Sequence, residues 1–334
     1  MLNADPHSLA PDAPNGAQIS LVVPTFHRAD LLKILLASLR AQTVNEERFE
    51  VVVVDNASPA DEATADLCRG EADRGLNLSY VSHPIPGTSE ARNCGIARAR
   101  GNWIGFLDDD IRLPEAWLEK VIATIQSGQM EVFGGPYRPY YTQAKPAWFR
   151  DEYAILAMGK QAGWLGSKQY LLGGNMVWER GLVEALGGFS TRLGPIGYRY
   201  EYGEETEFQL RAVQRGVRLW YDPELYVYHH SPSKRMNLGW MVESRWLHGK
   251  AKARIFREDF AGSDPRPEYR IRASWARSAL ADLARIAGLL VRLPLRDRSR
   301  YPAYQNFVVE EILPQISGLS TAYHVARIYR KKEK

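Results

Sequence analysis

The chain has 334 residues, 45% hydrophobic and 25% charged, the balance of an ordinary folded protein long enough for about two domains. That balance excludes intrinsic disorder and collagen, and two cysteines without CxxC spacing, Cys68 and Cys94, exclude a disulfide scaffold, a zinc ribbon and a thioredoxin-type site. The formal charge of +4 is uneven: residues 241–334 carry 19 Lys and Arg against 10 Asp and Glu, a basic segment that favours either an anionic partner or a solvated helical surface.

Residues 1–17 hold three prolines, Asp5 and Asp12 and no apolar run; they read as a disordered lead, not a signal peptide. No stretch of 18 apolar residues follows, so the expectation is a cytoplasmic protein, at most peripheral at the inner face of a membrane. Ile19–Thr25 (ISLVVPT) is an unbroken apolar run suited to a buried parallel strand. Asp30 is expected to cap the helix LLKILLASLRAQ. Phe49–Asp55 predicts a second buried strand, 60–73 a helix, Leu78–Val81 a strand, Ser89 the cap of a helix to Ala99, and Trp103–Leu107 another strand. Pro114 opens a helix to Ile125. This alternation predicts an α/β, doubly wound sheet, whose ligands bind beyond the carboxyl ends of the strands. Thr25, Asp55 and Asp108–Asp110 stand at those ends.

Beyond residue 130 the pattern changes. Glu131–Tyr137 and Tyr170–Glu179 read as strands with glycine pairs, Glu204–Arg215 as a helix, Val217–Tyr221 and Leu225–His230 as short strands, and the rest as helical. The aromatic stretch Tyr137–Trp164 suits either stacking on sugar rings or packing under a long loop. In Ser274–Val291 apolar residues at 275, 279, 280, 283, 286, 287 and 290 make a helical stripe near Arg272, Arg277, Arg285 and Arg292. That stripe suits an anionic membrane surface or packing on the rest of the chain.

No GxGxxG follows the first strand, and neither a P-loop nor a GxSxG elbow occurs. The acids remain. Asp108, Asp109 and Asp110 repel one another unless a cation compensates them, and Mg²⁺ or Mn²⁺ with phosphate oxygens is the natural choice, a solvated acidic turn the plain alternative. Asp55 can accept from a base N–H or ribose hydroxyl, or close an Asx-turn with Asn56 and Ser58. Glu204 and Glu205 suit the positive end of a helix or a general base. Of His229 and His230, neighbours on a strand, at most one reaches the crevice.

As a set, PTFHR (24–28), VVVDNAS (52–58), GTSEARNCGIARARG (87–101), FLDDD (106–110), GGN (173–175), GEETEF (203–208) and VYHH (227–230) resemble the family 2 glycosyltransferases. The resemblance covers about residues 18–250. It implies a GT-A fold: a doubly wound, mostly parallel sheet, a smaller mixed acceptor-side sheet and a helical C-terminal extension. The implied division is a glycosyltransferase domain over 18–250, with a nucleotide-binding half (18–114) and an acceptor-side half (115–250), then a basic extension over 251–334.

By the same resemblance Thr25 and Asp55 contact the nucleotide base, and Pro24 and Arg28 shape that pocket. Arg92 and Asn93 line the ribose and diphosphate. Asp108 and Asp109 belong to the nucleotide-sugar site, and Asp108, Asp110 and His229 to a Mn²⁺ or Mg²⁺ site. Gly174 and Asn175 lie beside donor sugar and acceptor, and Glu205 is the catalytic carboxylate, with Glu204 its substitute. The family's usual Glu-Asp is here Glu-Glu, which moves the carboxylate by about one methylene, in a role where hydrogen-bond reach is strict. The implied activity is inverting transfer from a nucleotide sugar, UDP-linked by preference, to a saccharide or lipid-linked acceptor in cell-surface polysaccharide or glycolipid synthesis, with possible membrane contact through the extension and no nucleic acid. A metal-dependent nucleotidyltransferase and a non-catalytic nucleotide-sugar-binding scaffold remain the alternatives.

Overall fold

The computed structural model describes residues 17–56, 62–167, 169–196, 202–255 and 268–330. The expected lead over residues 1–17 lies outside them but for Ala17, as does Ser58 of the Asx-turn. Two compact units emerge. The first takes in residues up to Tyr140, Ala154–Arg199 and Glu204–His230; the second takes in Tyr141–Tyr153, Tyr200–Gly203 and Ser231–Lys334.

The first unit is built on β1 (Ile19–Thr25), β2 (Phe49–Asn56), β3 (Leu78–His83) and β4 (Trp103–Leu107). Every residue of β1 and β2 is buried, which is why both are near-continuous apolar runs rather than alternating ones. The helices α1 (Ala29–Arg40), α2 (Glu62–Asp73) and α3 (Thr88–Ile96) connect them. Parallel pairing sets Thr25 beside Asp55, and Ile19–Val22 beside Trp103–Phe106. Two short strands and a helix follow: β5 (Ile111–Arg112), α4 (Trp117–Ser127) and β6 (Val132–Gly134). Then come β7 (Tyr137–Tyr140), β8 (Gly163–Trp164), β9 (Asn175–Glu179) and α5 (Arg180–Leu186), and last α6 (Glu204–Gln214), β10 (Trp220–Tyr221) and β11 (Val227–His230).

The large sheet has the order β3-β2-β1-β4-β9-β6-β10-β8, and a small mixed sheet the order β5-β11-β7. Within the large sheet β9 runs antiparallel to both β4 and β6, so the parallel half gives way to a mixed half beside β4. The α/β architecture expected from the sequence is the one observed.

Local corrections concern caps. Arg28, not Asp30, precedes α1, and Asp30 sits in its first turn, where its charge meets the positive helix end. Ser89 lies inside α3, with Gly87 before it. Its hydroxyl donates to the carbonyl of Leu193, so it ties the helix to a distant loop instead of capping it.

The second unit holds α7 (Leu238–Ile255), α8 (Glu268–Arg292), α9 (Tyr304–Phe307) and α10 (Leu313–Arg330), with a π-helical turn over Val308–Ile312. The sequence boundary at 250 falls inside α7. Ile271, Ala253 and Val325 form one small core and Tyr301, Phe307 and Ile312 another. The aromatic segment 141–153 belongs to this unit. Trp148, Phe149 and Tyr153 pack edge-on or tilted against one another. Asn306 Nδ2 donates to Trp148 O at 2.7 Å, and Tyr153 donates to Glu310 at 2.7 Å. Packing, not an open stacking platform, is what these three rings do. Among the described residues, no helix is long and apolar enough to cross a membrane.

Candidate active site

The site lies in the first unit, at the carboxyl ends of β1 and β4, where the strand order reverses direction about β1. Asp108 follows β4 and touches three groups. Arg92 Nη2 of α3 donates to its Oδ1 at 3.2 Å, Tyr137 Oη of β7 donates to its Oδ2 at 3.1 Å, and His229 Nε2 of β11 stands 3.9 Å from Oδ2. His229 also lies 3.2 Å from Asp110 Oδ1 and stacks on the Tyr137 ring, centroids 4.6 Å apart. His230 points to the other face, tilted against Tyr140, as alternation along a strand requires.

Ligand atoms of Asp108, Asp110 and His229 all come within 4.8 Å of one another. Two carboxylate oxygens and an imidazole nitrogen suit a divalent ion such as Mn²⁺ or Mg²⁺, so these three residues could hold one. Asp109 turns the other way. It accepts from Thr25 Oγ1 at 2.9 Å and from Arg28 Nη1 at 3.0 Å, and Arg28 also reaches Asp110 at 3.4 Å. Burial pushes the Asp109 carboxyl up to about 7, the Asp110 charge adds to that, and Arg28 and Thr25 oppose it. The three adjacent acids thus divide their work: the outer two converge with His229, and the middle one anchors the end of β1.

Arg92 is the buried cation of the site. Besides Asp108 it reaches Glu204 Oε1 at 3.2 Å and Glu205 Oε1 at 3.5 Å. Burial alone would lower its pKa, but Glu205, Asp108 and Glu204 more than reverse that and raise it. One guanidinium faces three carboxylates, so the cluster either keeps a proton or takes up a further cation. The two glutamates differ in access. The side chain of Glu204 is 5% exposed and that of Glu205 33%. Burial pushes Glu205 up to about 8, with the charges of Glu204 and Asp108 adding and Arg92 opposing.

The glycine pair before β9 explains how these carboxylates come so close. A Cβ on Gly173 would lie 2.1 Å from Glu205 Oε1, and one on Gly174 would lie 2.3 Å from the Asp108 carboxyl carbon. Gly174 N–H donates to Tyr137 Oη at 2.6 Å. Any side chain at either position would displace a carboxylate.

Other expected residues make hydrogen bonds within the scaffold. Asn175 is fully buried; its Oδ1 accepts from Trp117 Nε1 at 3.1 Å and its Nδ2 donates to Leu225 O at 2.7 Å. Asn93 clips the backbone of Phe189 with both polar ends, at 2.9 and 2.8 Å. Asp55 is buried and accepts from Tyr80 Oη at 3.0 Å. Pro24 pairs with Val54 within the sheet. Tyr137, the hub joining Asp108, Gly174 and His229, was not expected as a site residue. Its only sequence signal is its place after the glycine pair Gly134–Gly135 at the start of β7.

The family described as Glycosyl transferase family 2 matches residues 20–187. The chain is similar to the succinoglycan biosynthesis protein ExoM of Rhizobium meliloti (strain 1021), at 29% identity over 249 residues, 73% of this chain and 77% of that protein. Among solved structures it is similar to the mannosyltransferase PcManGT from Pyrobaculum calidifontis in complex with GDP-Man and Mn²⁺ (TM-score 0.57, 18% identity, covering 97% and 90% of the two chains). It is also similar to S. aureus TarS 1–349 in complex with UDP-GlcNAc (TM-score 0.51, 18% identity, covering 94% and 92%). At that identity the structures speak to the fold, which is GT-A.

Proposed function

This chain belongs to glycosyl transferase family 2, and we propose that it moves a sugar from a nucleoside diphosphate donor to an acceptor hydroxyl with inversion at the anomeric carbon. The observation that carries the reading is the convergence of Asp108, Asp110 and His229 beside a partly exposed Glu205, with Arg92 joining Glu205 to Asp108 and His229 joining Asp108 to Asp110. A divalent ion held by Asp108, Asp110 and His229 would supply positive charge against the departing diphosphate.

Glu205 is the base. It takes the proton from the acceptor hydroxyl, whose oxygen forms the new glycosidic bond while the bond to diphosphate breaks and its electron pair leaves with the phosphate. Its partial exposure suits that role; Glu204, almost fully buried against Arg92, is the fixed counter-charge. Arg92 holds Glu205 and Asp108 in register, so proton acceptor and diphosphate site keep one geometry. Thr25 and Arg28, bonded to Asp109, shape the pocket for the nucleotide base. Uridine is the preferred base because an acceptor carboxylate at Asp55 suits an imide N–H. The solved structures this chain resembles hold UDP-GlcNAc in one case and GDP-Man in another, which supports a nucleoside diphosphate sugar donor, and ExoM, by its name a succinoglycan biosynthesis protein, supports polysaccharide synthesis.

The test is a thermal-shift panel of UDP, GDP, dTDP and CDP with and without Mn²⁺. Ligand at 100 times its dissociation constant stabilises the native state by about 2.7 kcal/mol. A metal-dependent shift with UDP that exceeds the others is the expected result. Absence of any shift removes the nucleotide site.

A further inference from the structure

We propose that the outer face of α8 is a docking surface for an anionic lipid bilayer. The apolar stripe read from the sequence as one face divides in the structure into two. Ile271, Trp275, Ile286 and Leu289 turn inward to the small cores of the second unit, and Asp282, the acid of the helix interior, is buried on that side. Leu280, Leu283, Leu290 and Val291 turn outward, 66, 49, 52 and 74% exposed.

Isolated exposed apolar residues need no explanation; an ordered row does. At 3.6 residues per turn these four occupy an arc of about 100° along about 16 Å of helix. Exposed Ala276 and Ala287 lie within the same arc, and Leu295, 83% exposed, prolongs the row past the helix end. Arg270, Arg277, Arg285 and Arg292 are exposed as well and form a row along one border of that arc. No exposed residue of 269–292 is acidic.

An apolar arc bordered by cations and free of acids is complementary to a negatively charged interface. The leucines enter the boundary between headgroups and acyl chains, and the guanidiniums pair with lipid phosphates. A protein partner or a second copy would gain from acids on one border to pair with the arginines of the other, and the exposed face has none. Docking rests on the proposed transfer only for its purpose, access to a lipid-linked acceptor; adsorption itself needs no donor.

The experiment is co-sedimentation of the full chain with vesicles of phosphatidylglycerol mixed with phosphatidylcholine, against pure phosphatidylcholine. Binding is expected on the anionic vesicles, about tenfold or more weaker on neutral ones and in high salt. Leu283→Glu with Leu290→Glu, and separately Arg277→Gln with Arg292→Gln, are expected to weaken it about tenfold while leaving the nucleotide-induced thermal shift unchanged. No binding to anionic vesicles, or equal binding by the leucine variant, overturns the proposal. So does a wild-type dimer in sedimentation velocity that the leucine variant abolishes, which assigns the face to a second copy. Vesicle binding in a protein that shows no nucleotide shift leaves docking standing and removes the transfer reading.

Discussion

Glu205, the proposed base, also carries a stability cost. Its folded-state pKa of about 8, against an ordinary value of 4.5, means that the native chain keeps a proton the unfolded chain releases between those values. Stability is therefore lost as pH rises through that window. Glu205→Gln removes the titration. Its melting temperature is expected to gain on the wild type from pH 5 to about pH 8 and to level off above, while transfer falls by about 10²- to 10⁴-fold and nucleotide binding persists. In the wild type kcat/KM should rise with pH toward about 8 as the base ionises; a flat profile, or a glutamine variant at native rate, assigns the base elsewhere. The glycine pair allows a finer separation. Gly174→Ala pushes on Asp108 and is expected to weaken metal-dependent nucleotide binding about tenfold or more. Gly173→Ala pushes on Glu205 and should lower kcat with nucleotide affinity retained. Equal effects of both on affinity would show that the two carboxylates act as one group.

At the scale of elements, Arg92 is the pin between α3, β4 and α6. It is almost fully buried and faces carboxylates from the other two elements. Removing one member of a buried charge cluster strands the others, at a cost of about 3–5 kcal/mol. Arg92→Leu is expected to lower the urea-unfolding free energy by that amount, and most at pH above 8, where the acids it leaves behind are ionised. A loss below about 1 kcal/mol would mean that water already screens the cluster. The chain order of these elements was legible because each strand is a short apolar run and each helix has its own period. The caps were not. Asp30 and Ser89 are good capping residues by type, but a cap depends on where the chain turns. Ser89 found a better acceptor in Leu193, 104 residues away.

For the whole molecule, all the groups assigned to transfer lie in the first unit, and the second unit is held by its own contacts. Asn306, fully buried, joins α9 to the aromatic segment through Trp148 O and Tyr153 Oη. Asn306→Ala leaves these groups short of a donor and is expected to cost about 1–3 kcal/mol, seen as a lower melting temperature by circular dichroism. The nucleotide-induced shift should survive. Its loss would show that the crevice depends on the second unit.

The sequence by itself determined the sheet's parallel half and the acids at its strand ends. Buried strands and acids that follow them are local properties, visible in a run of a few residues. The tertiary structure alone decided which polar residues face inward to the scaffold and which face the crevice. Asn93 and Asn175, which motif order places in the site, hydrogen-bond to the backbone of Phe189 and of Leu225 and to Trp117. Tyr137, with no motif of its own, becomes the hub. It also decided that the stripe on α8 is two faces. Burial and partnership are set by contacts between residues distant in the chain, and one sequence read along its length does not contain them.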